Sequence, residues 1–452
     1  DNIHGLELDQ RCVELAAFAI ALEAWRYPNT GGYRVLPELQ IACSGMSIDE
    51  AQKEWKDLAK GNEELTNAIN WMQHTYKDAP TLGSLIDPTK TPRAGGRPPW
   101  ELLQNALSFN VNATNESTIK AKGLAKTASL SSNKYQWVVT NVPYLGRGLQ
   151  NITLQQFCDS NYESSKSDLA TVFLERCLEL CSSNGETTTV LPQNWLFLAS
   201  YKNVRQQLLK DKSFRMIVRM GAGAFDTISG EVVQAILLSV GNQSPKEFNC
   251  IYDADVSMVC GAKNKSLTLN KCRFEKLEQA QQLKNPSARI MIYESTATYL
   301  NQYCDTYKGL CLGDGERFSF YFWEVEKNSD WIFMQGSYSN PSKYDGLNNV
   351  VKWQGEQGEF HKYVRERLGE RTSSWIRGLD SWGKNGITLR VMGNLPATLY
   401  LGNAYNNNVS TIIPKDNNHL PALWTYCSSA EYNSEVRKIN QKPSITDDSF
   451  LH

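Results

Sequence analysis

Histidine is scarce in this chain, and charge of one sign is not in excess. Five histidines are spread over 452 residues (His4, His74, His361, His419 and His452) and do not cluster, so they assemble no metal site of ordinary ligand spacing. Its 47 lysines and arginines face 48 acidic residues, a formal net charge of −1. That balance excludes a uniformly basic coat for a polyanion but leaves room for a local basic cleft. The 11 cysteines are an odd number, scattered singly from Cys12 to Cys427 with no CxxC pair; the closest two, Cys177 and Cys181, lie one helical turn apart. Structural zinc needs tight ligand pairs and a secreted scaffold needs a dense even set, so reduced thiols and no metal are expected. No signal-peptide pattern and no run of eighteen apolar residues occurs, which predicts a cytoplasmic location away from membranes. A GxxxxGK[ST] loop is absent too, and with it a P-loop triphosphatase.

What is present is the composition of a folded protein, 41% hydrophobic and 21% charged, in a length that exceeds one ordinary domain. The periodicity predicts a short strand at Ile3–Leu8, an alanine-rich amphipathic helix at Gln10–Trp25 and a second short strand at Glu38–Cys43. From about Ser47 to Thr127 the chain is polar with a helical period, broken by a Pro- and Gly-rich loop at Asp87–Pro99. That stretch reads as a helical insertion over the core, about 46–130. Strands then alternate with helices: Gln136–Thr140, a helix at Asp168–Leu180, Thr187–Leu191, a helix at Val204–Leu209, Met216–Arg219 and Val232–Val240. Such alternation predicts an α/β fold with a doubly wound, mostly parallel sheet, whose ligands sit beyond the carboxyl ends of the strands. Past about Asn285 the composition turns aromatic and glycine-rich and the alternation stops. Two domains follow, 1–285 and an α+β domain at 286–452.

The segment that carries chemistry is Val138–Val139–Thr140–Asn141–Val142–Pro143–Tyr144–Leu145–Gly146–Arg147–Gly148. It sets an amide, a backbone carbonyl and a flat ring at the carboxyl end of a strand. That set suits an exocyclic amine on a flat heterocycle. The amine's lone pair is delocalised into its ring; two acceptors on its two protons favour a more tetrahedral nitrogen with the pair freed, while a stacked ring holds the base. The plainer reading is an ordinary turn in which Asn and Pro only set backbone angles.

This segment resembles the (D/N)PPY motif of amino-methyltransferases that act on DNA. Ile3–His4–Gly5–Leu6–Glu7–Leu8–Asp9 resembles the second cofactor motif of that group, and Asp168–Leu169–Ala170, Gln193–Asn194–Trp195–Leu196–Phe197 and Gly221–Ala224–Phe225 resemble its later motifs. Together they are similar to the Eco57I-like and type IIG adenine methyltransferases, including those of the BREX and DISARM phage-defence systems. The resemblance implies a Rossmann-like methyltransferase domain with S-adenosylmethionine as methyl donor and no metal. Asn141 would offer its side-chain oxygen to the adenine N6 amine and the Val142 carbonyl would accept its second proton. Family members usually carry proline at that second position; since the contact uses the main chain, valine gives up some rigidity but not the acceptor. Pro143 keeps the pattern, and Tyr144 would stack on the flipped adenine. Phe225 would close the other side of the base, or serve only as core. Glu7 would bind the cofactor's ribose hydroxyls, with Asp9 beside it as a further contact or as a helix cap. The stretch Ile41–Gly45 lacks the acid that the third cofactor motif normally supplies, which leaves Ser44 there. Asp168 shapes the site or caps its helix.

In the family a glycine-rich loop on a central strand directly precedes the segment at Ile3–Asp9, so the first strand is expected outside this chain, in a larger polypeptide or a partner subunit. Gly309–Phe318 and Trp382–Gly383–Lys384 resemble the start of a DNA-recognition domain. There Lys343, Lys352, Lys362, Arg365, Arg367, Arg371, Arg377 and Lys384 are interleaved with Trp353, Tyr363 and Trp375, a pattern that meets phosphates with cations and exposed bases with rings. A solvated helix with ion pairs over Glu359–Glu370 explains part of the same pattern. The expected function is site-specific methylation of adenine N6 in double-stranded DNA, in a restriction-modification or phage-defence setting. Other readings are another planar amine as acceptor (a protein glutamine or cytosine N4) and a catalytically inactive DNA-binding scaffold.

Overall fold

Two short strands open the chain, β1 (His4–Glu7) and β2 (Gln40–Cys43), paired in parallel across the helix Gln10–Arg26. That helix begins where the sequence supplies a cap: the Asp9 carboxylate accepts from the Arg11 amide at 2.8 Å, satisfying one of the orphan N–H groups of the first turn. None of its residues is buried, and Leu15 and Phe18 stay largely exposed. The computed structural model describes residues 2–29, 31–48, 59, 61–93, 96–109, 116–225, 234–291, 300–439, 444–445 and 447–451. It divides into two compact units, Asp1–Leu196 with Ser200–Ile290, and Phe197–Ala199 with Met291–His452. The start of the apolar run Val232–Val240 lies outside the described residues.

Six further strands of the first unit form one sheet: β3 (Tyr135–Asn141), β4 (Cys181–Pro192), β5 (Ser213–Gly221), β6 (Ala235–Gly241), β7 (Cys250–Asp255) and β8 (Glu275–Glu278), in the order β3-β4-β6-β5-β7-β8. β3 pairs in parallel with β4, and β5 with β7; β6 is antiparallel to both of its neighbours, as β8 is to β7. β3, β4, β5 and β7 thus all run one way, which is the mostly parallel α/β sheet that the alternation implies. The antiparallel β6 was not foreseen. It follows β5 with no helix among the described residues between them, and consecutive strands without a crossover pair antiparallel. The register sets Asn141, Val190, Leu237 and Val218 in one row across four strands. The chain segments that follow β3 and β5 therefore leave the sheet at the same edge.

Among the described residues β1 pairs only with β2, and β3 only with β4. Both line a cavity of about 500 Å³, with His4 and Tyr135 in ring contact at 5.2 Å. On β3 the apolar Trp137 and Val139 are 66% and 73% exposed, so this side of the strand lacks the cover that apolar β residues normally find.

The polar, helical stretch after β2 contains the helices Glu63–Tyr76, Pro99–Phe109 and Glu116–Ser132. Their apolar faces, with Met72, Leu103 and Leu124, share a core with Leu154 and Val172 from the helices that follow β3. A buried arginine, Arg176 on the helix Leu169–Leu180, ties this layer down. One residue earlier, Glu175 is held up to about 7, because burial outweighs the Ser165 hydrogen bond and the nearby Glu179 charge adds to the effect. The sign follows from linkage: the folded state keeps a proton that the unfolded chain releases near about 4.3, so stability falls as pH rises from about 4 through 7. Glu175→Gln should raise the melting temperature at pH 8.5 and lose most of that gain at pH 4.5. An equal gain at both pH values would rule out a titrating Glu175 as the cause.

In the second unit β10 (Ser319–Tyr321), β12 (Asn349–Lys352), β11 (Trp331–Gln335) and β15 (Ala404–Tyr405) form one sheet in that order. β14 (Ala397–Tyr400), β13 (Gly386–Arg390), β16 (Val409–Pro414) and β9 (Cys304–Lys308) form another. The helix Glu359–Leu368 ends at Gly369, whose φ of 59° is costly for any residue with a Cβ. The expected helix ran one residue past this glycine.

Candidate active site

The site residues of the sequence motif lie where a parallel strand ends. β3 closes at Asn141, whose side chain is exposed; Val142 is buried at 4%, Pro143 is exposed and Tyr144 is half-buried. The Tyr144 hydroxyl reaches the Asn141 side-chain oxygen at 3.4 Å, so amide and ring converge on one spot. Burial and then the negative Asp168 push the Tyr144 hydroxyl up to about 12. It therefore keeps its proton at neutral pH and is no general base; the ring face is what it offers.

The loop is fixed by bonds to its backbone from neighbouring segments and by an ion pair of Arg147. The Leu145 carbonyl accepts from the Leu169 amide at 3.0 Å and from the Gln150 side chain at 3.1 Å, and the Arg147 amide donates to the Ser167 carbonyl at 3.1 Å. Gln155 donates to the Arg147 and Gln150 carbonyls, and Arg147 pairs with Asp159 at 2.6 Å. Gly146 forms a bridge with Asp168, whose side chain caps its helix by accepting from the Ala170 amide at 2.9 Å. Asp168 thus caps its helix and ties the start of that helix to the loop at Gly146. Gln150 and Gln155 did not stand out in the sequence, because a glutamine that satisfies loop carbonyls looks like any polar residue on a helix face.

Of the three cofactor candidates, Glu7 has an exposed carboxylate at the carboxyl end of β1, with one oxygen accepting from the Leu8 amide at 2.7 Å. Asp9 serves as the helix cap and pairs with the exposed Arg11. Ser44 is 1% exposed and its hydroxyl donates to the Glu7 carbonyl at 3.0 Å, which joins the ends of β1 and β2. Of the three, Glu7 alone presents an exposed acceptor of the kind that suits a pair of ribose hydroxyls. Phe225 is half-buried, four residues past the end of β5 at the sheet edge that Asn141 also marks.

In the second unit the candidate DNA contacts separate into two groups. Lys343, Arg365, Arg371 and Lys384 are exposed. Lys352 is held by Glu359 at 2.8 Å, and Arg377 is half-buried with its guanidinium donating to the Gly309 carbonyl. The aromatics interleaved with them are not set out for bases. Trp353, Tyr363 and Trp375 pack with Phe318, Phe360 and Trp382 in the core of the unit, as their pairing across β12 and the helix Glu359–Leu368 requires. Aromatic exposure sits elsewhere, at Tyr321, Phe322 and Trp323, with the first and third rings stacked at 4.6 Å. Among the described residues no group of three His, Cys, Asp or Glu is placed to hold a metal ion, and no helix is long and apolar enough to cross a membrane.

Residues 1–225 match the model of the Eco57I restriction-modification methylase family. The chain is 26% identical over 340 residues to the adenine-specific methyltransferase BrxX of Escherichia coli O9:H4 (strain HS), covering 67% of this chain and 27% of that protein. It is 27% identical over 272 residues to the adenine-specific methyltransferase PglX of Lacticaseibacillus casei (strain Zhang), covering 56% and 21%. The chain thus spans about a quarter of the length of these curated relatives. Its fold is similar to that of the type IIL restriction-modification enzyme MmeI in complex with DNA, with a TM-score of 0.50 at 12% identity over 96% of this chain and 58% of the other. Through the first 225 residues, which hold the Asn141–Tyr144 loop and the Glu7 strand, the chain belongs to the Eco57I restriction-modification methylase family.

Proposed function

We propose that the protein of which this chain is part transfers a methyl group from S-adenosylmethionine to the N6 amine of adenine in double-stranded DNA, within a restriction-modification or phage-defence system. The observation that carries this reading is the convergence of Asn141 and Tyr144 on an immobilised loop at the carboxyl end of β3. The names of the two relatives, both adenine-specific methyltransferases, support adenine as the base.

In the proposed reaction the adenine leaves the duplex and stacks on the Tyr144 ring. It takes the place of the Tyr144 hydroxyl at the Asn141 oxygen, which then accepts one proton of the N6 amine. The Val142 carbonyl accepts the other. These two contacts draw the nitrogen toward a tetrahedral shape with its lone pair directed at the methyl donor, and the fixed loop means that little reorganisation is needed. S-adenosylmethionine, held at its ribose by Glu7, would supply the methyl group as an electrophile. Since Tyr144 stays protonated, the departing amine proton passes to solvent. Lys343, Arg365, Arg371 and Lys384 would meet phosphates, giving binding that weakens steeply with salt. We also propose that one further strand, from the rest of the polypeptide or a partner subunit, enters the cavity between β1 and β3, since among the described residues β1 pairs only with β2 and β3 only with β4.

The test is tritiated methyl transfer to mixed genomic DNA by the full-length protein with any partner subunits, with Tyr144→Ala as control. Label recovered as N6-methyladenine, and none with the control, is the expected result. Binding of cofactor and DNA without label would favour the scaffold reading.

A further inference from the structure

Lys265 lies on the helix Ala262–Leu269 and its side chain is wholly buried. No carboxylate pairs with it among the described residues. Its ammonium instead donates to three backbone carbonyls, those of Met220 at 2.5 Å, Val256 at 3.0 Å and Ser257 at 3.2 Å. Three donors meet three acceptors, which uses the full capacity of a lysine. Burial pulls its pKa below the ordinary lysine value, against the opposing pull of Cys260 and Asp255. An apolar side chain of the same length would fill this space without that cost, so the charge answers a need of the carbonyls.

Those carbonyls come from the ends of two parallel strands. β5 and β7 are in register through Val218 with Ala254 and Arg219 with Asp255, and the Val256 amide still donates to the Arg219 carbonyl at 2.9 Å. Just beyond, the chain turns at Gly221, whose φ is 65° and whose added Cβ would lie 2.6 Å from that of Ser257. The two chain ends are pressed together there, and Lys265 is the bolt through both.

Four residues after Gly221 comes Phe225. β5 lies three strands from β3 in the sheet, roughly 14 Å at about 4.8 Å per strand. An extended chain of four residues would reach about 13 to 14 Å, but Ala222–Gly223 form a turn, with Gly223 at φ 67°, so the segment covers only part of that distance. It presents the Phe225 ring to the Asn141–Tyr144 site only if the turn leaves the sheet in the direction of β3. We infer that Lys265 is a positioning residue: by clamping Met220 to Val256 and Ser257 it aims the Gly221–Phe225 segment, so that Phe225 forms the second wall of the target-base site. The inference rests on the proposed function for an adenine stacked on Tyr144, which Phe225 would face, and on geometry alone for the clamp.

Two measurements on the full-length protein separate those parts. Hydrogen exchange should show the Gly221–Phe225 amides exchanging faster in Lys265→Met, with the Leu145–Arg147 amides unchanged. Lys265→Gln, which keeps amide donors, should fall between. Unchanged exchange at Gly221–Phe225 in both variants would overturn the clamp. In methyl transfer, Lys265→Met should raise KM for DNA and lower kcat/KM by about 10- to 100-fold, the cost of an ångström-scale misplacement, while cofactor affinity holds. Phe225→Ala should give a similar loss, and the double variant should be no worse than the poorer single one. Additive losses, or a kcat/KM within twofold of wild type for Lys265→Met, would overturn the positioning role. If the wild type transfers no label to adenine, the functional reading fails, and the exchange result alone decides the clamp.

Discussion

Replacing Asn141 with alanine should strongly reduce methyl transfer while leaving DNA binding intact. The side chain is exposed and its oxygen meets the Tyr144 hydroxyl at 3.4 Å, so its removal takes nothing from the core. In the proposed reaction it takes one of the two acceptors aimed at the amine in the transition state. Loss of one such preorganised contact costs about 10² to 10³ in kcat, roughly 2.7 to 4 kcal/mol. Asn141→Asp keeps an acceptor oxygen and should retain far more activity than alanine. The measurement is kcat and KM for methyl transfer beside a DNA-binding titration for each variant. Alanine and aspartate variants of equal activity would remove the acceptor role. Loss of DNA binding with an unchanged melting temperature would move Asn141 from chemistry to recognition.

The order of strands and helices in the first unit is legible in the sequence because period and length act locally. Expected Gln136–Thr140 became Tyr135–Asn141, and expected Asp168–Leu180 became Leu169–Leu180 with Asp168 as its cap. Strand direction is not local. β6 reads like any other apolar run, and only its insertion between β4 and β5 makes it antiparallel to both. The candidate segment Asn141–Tyr144 stands out in the sequence because the chemistry proposed for it needs particular residue types in a fixed order on one loop. The residues that hold that loop still, Gln150, Gln155 and the Leu169 amide, come from other segments and act through backbone carbonyls, which leave no signature.

The interleaved cations and rings of the second unit misled for a related reason. Trp353, Tyr363 and Trp375 alternate with charged residues in sequence, yet in the fold they are half-buried against the core, while Lys343, Arg365, Arg371 and Lys384 are exposed. An amphipathic helix and a nucleic-acid surface share that pattern, and burial alone separates them. Lys352 shows the same limit: its partner Glu359 lies seven residues away, within an ion-pair cluster with Arg317.

The largest loss of stability should come from Arg176→Met. The Arg176 side chain is 1% exposed and its guanidinium donates to the carbonyls of Ser84 at 2.9 Å, Ile86 at 3.0 Å and Ser131 at 3.1 Å, and to the Asp87 carboxylate at 2.9 Å. Methionine fills much of the volume but strands those acceptors and leaves a carboxylate buried without its counter-charge. Removing one partner of a buried pair costs about 3 to 5 kcal/mol. At about 2 to 4 °C per kcal/mol for a unit of this size, the melting temperature should fall by roughly 10 °C. Burial alone would raise Asp87, but the Thr89 hydrogen bond and the Arg176 charge outweigh it and hold the carboxyl below its ordinary value. A lowered carboxyl contributes stability above its unfolded pKa of about 3.9 and loses it only as pH falls further. The destabilisation should therefore be flat from pH 7 to 9 and smaller at pH 5, where the stranded, buried Asp87 begins to take up a proton. Urea unfolding at pH 5, 7 and 9 checks this profile. Adding Asp87→Asn should recover part of the loss, because the stranded charge goes with it. A double variant whose cost is the plain sum of the two single ones would mean that Arg176 acts through packing and the carbonyls, not through Asp87.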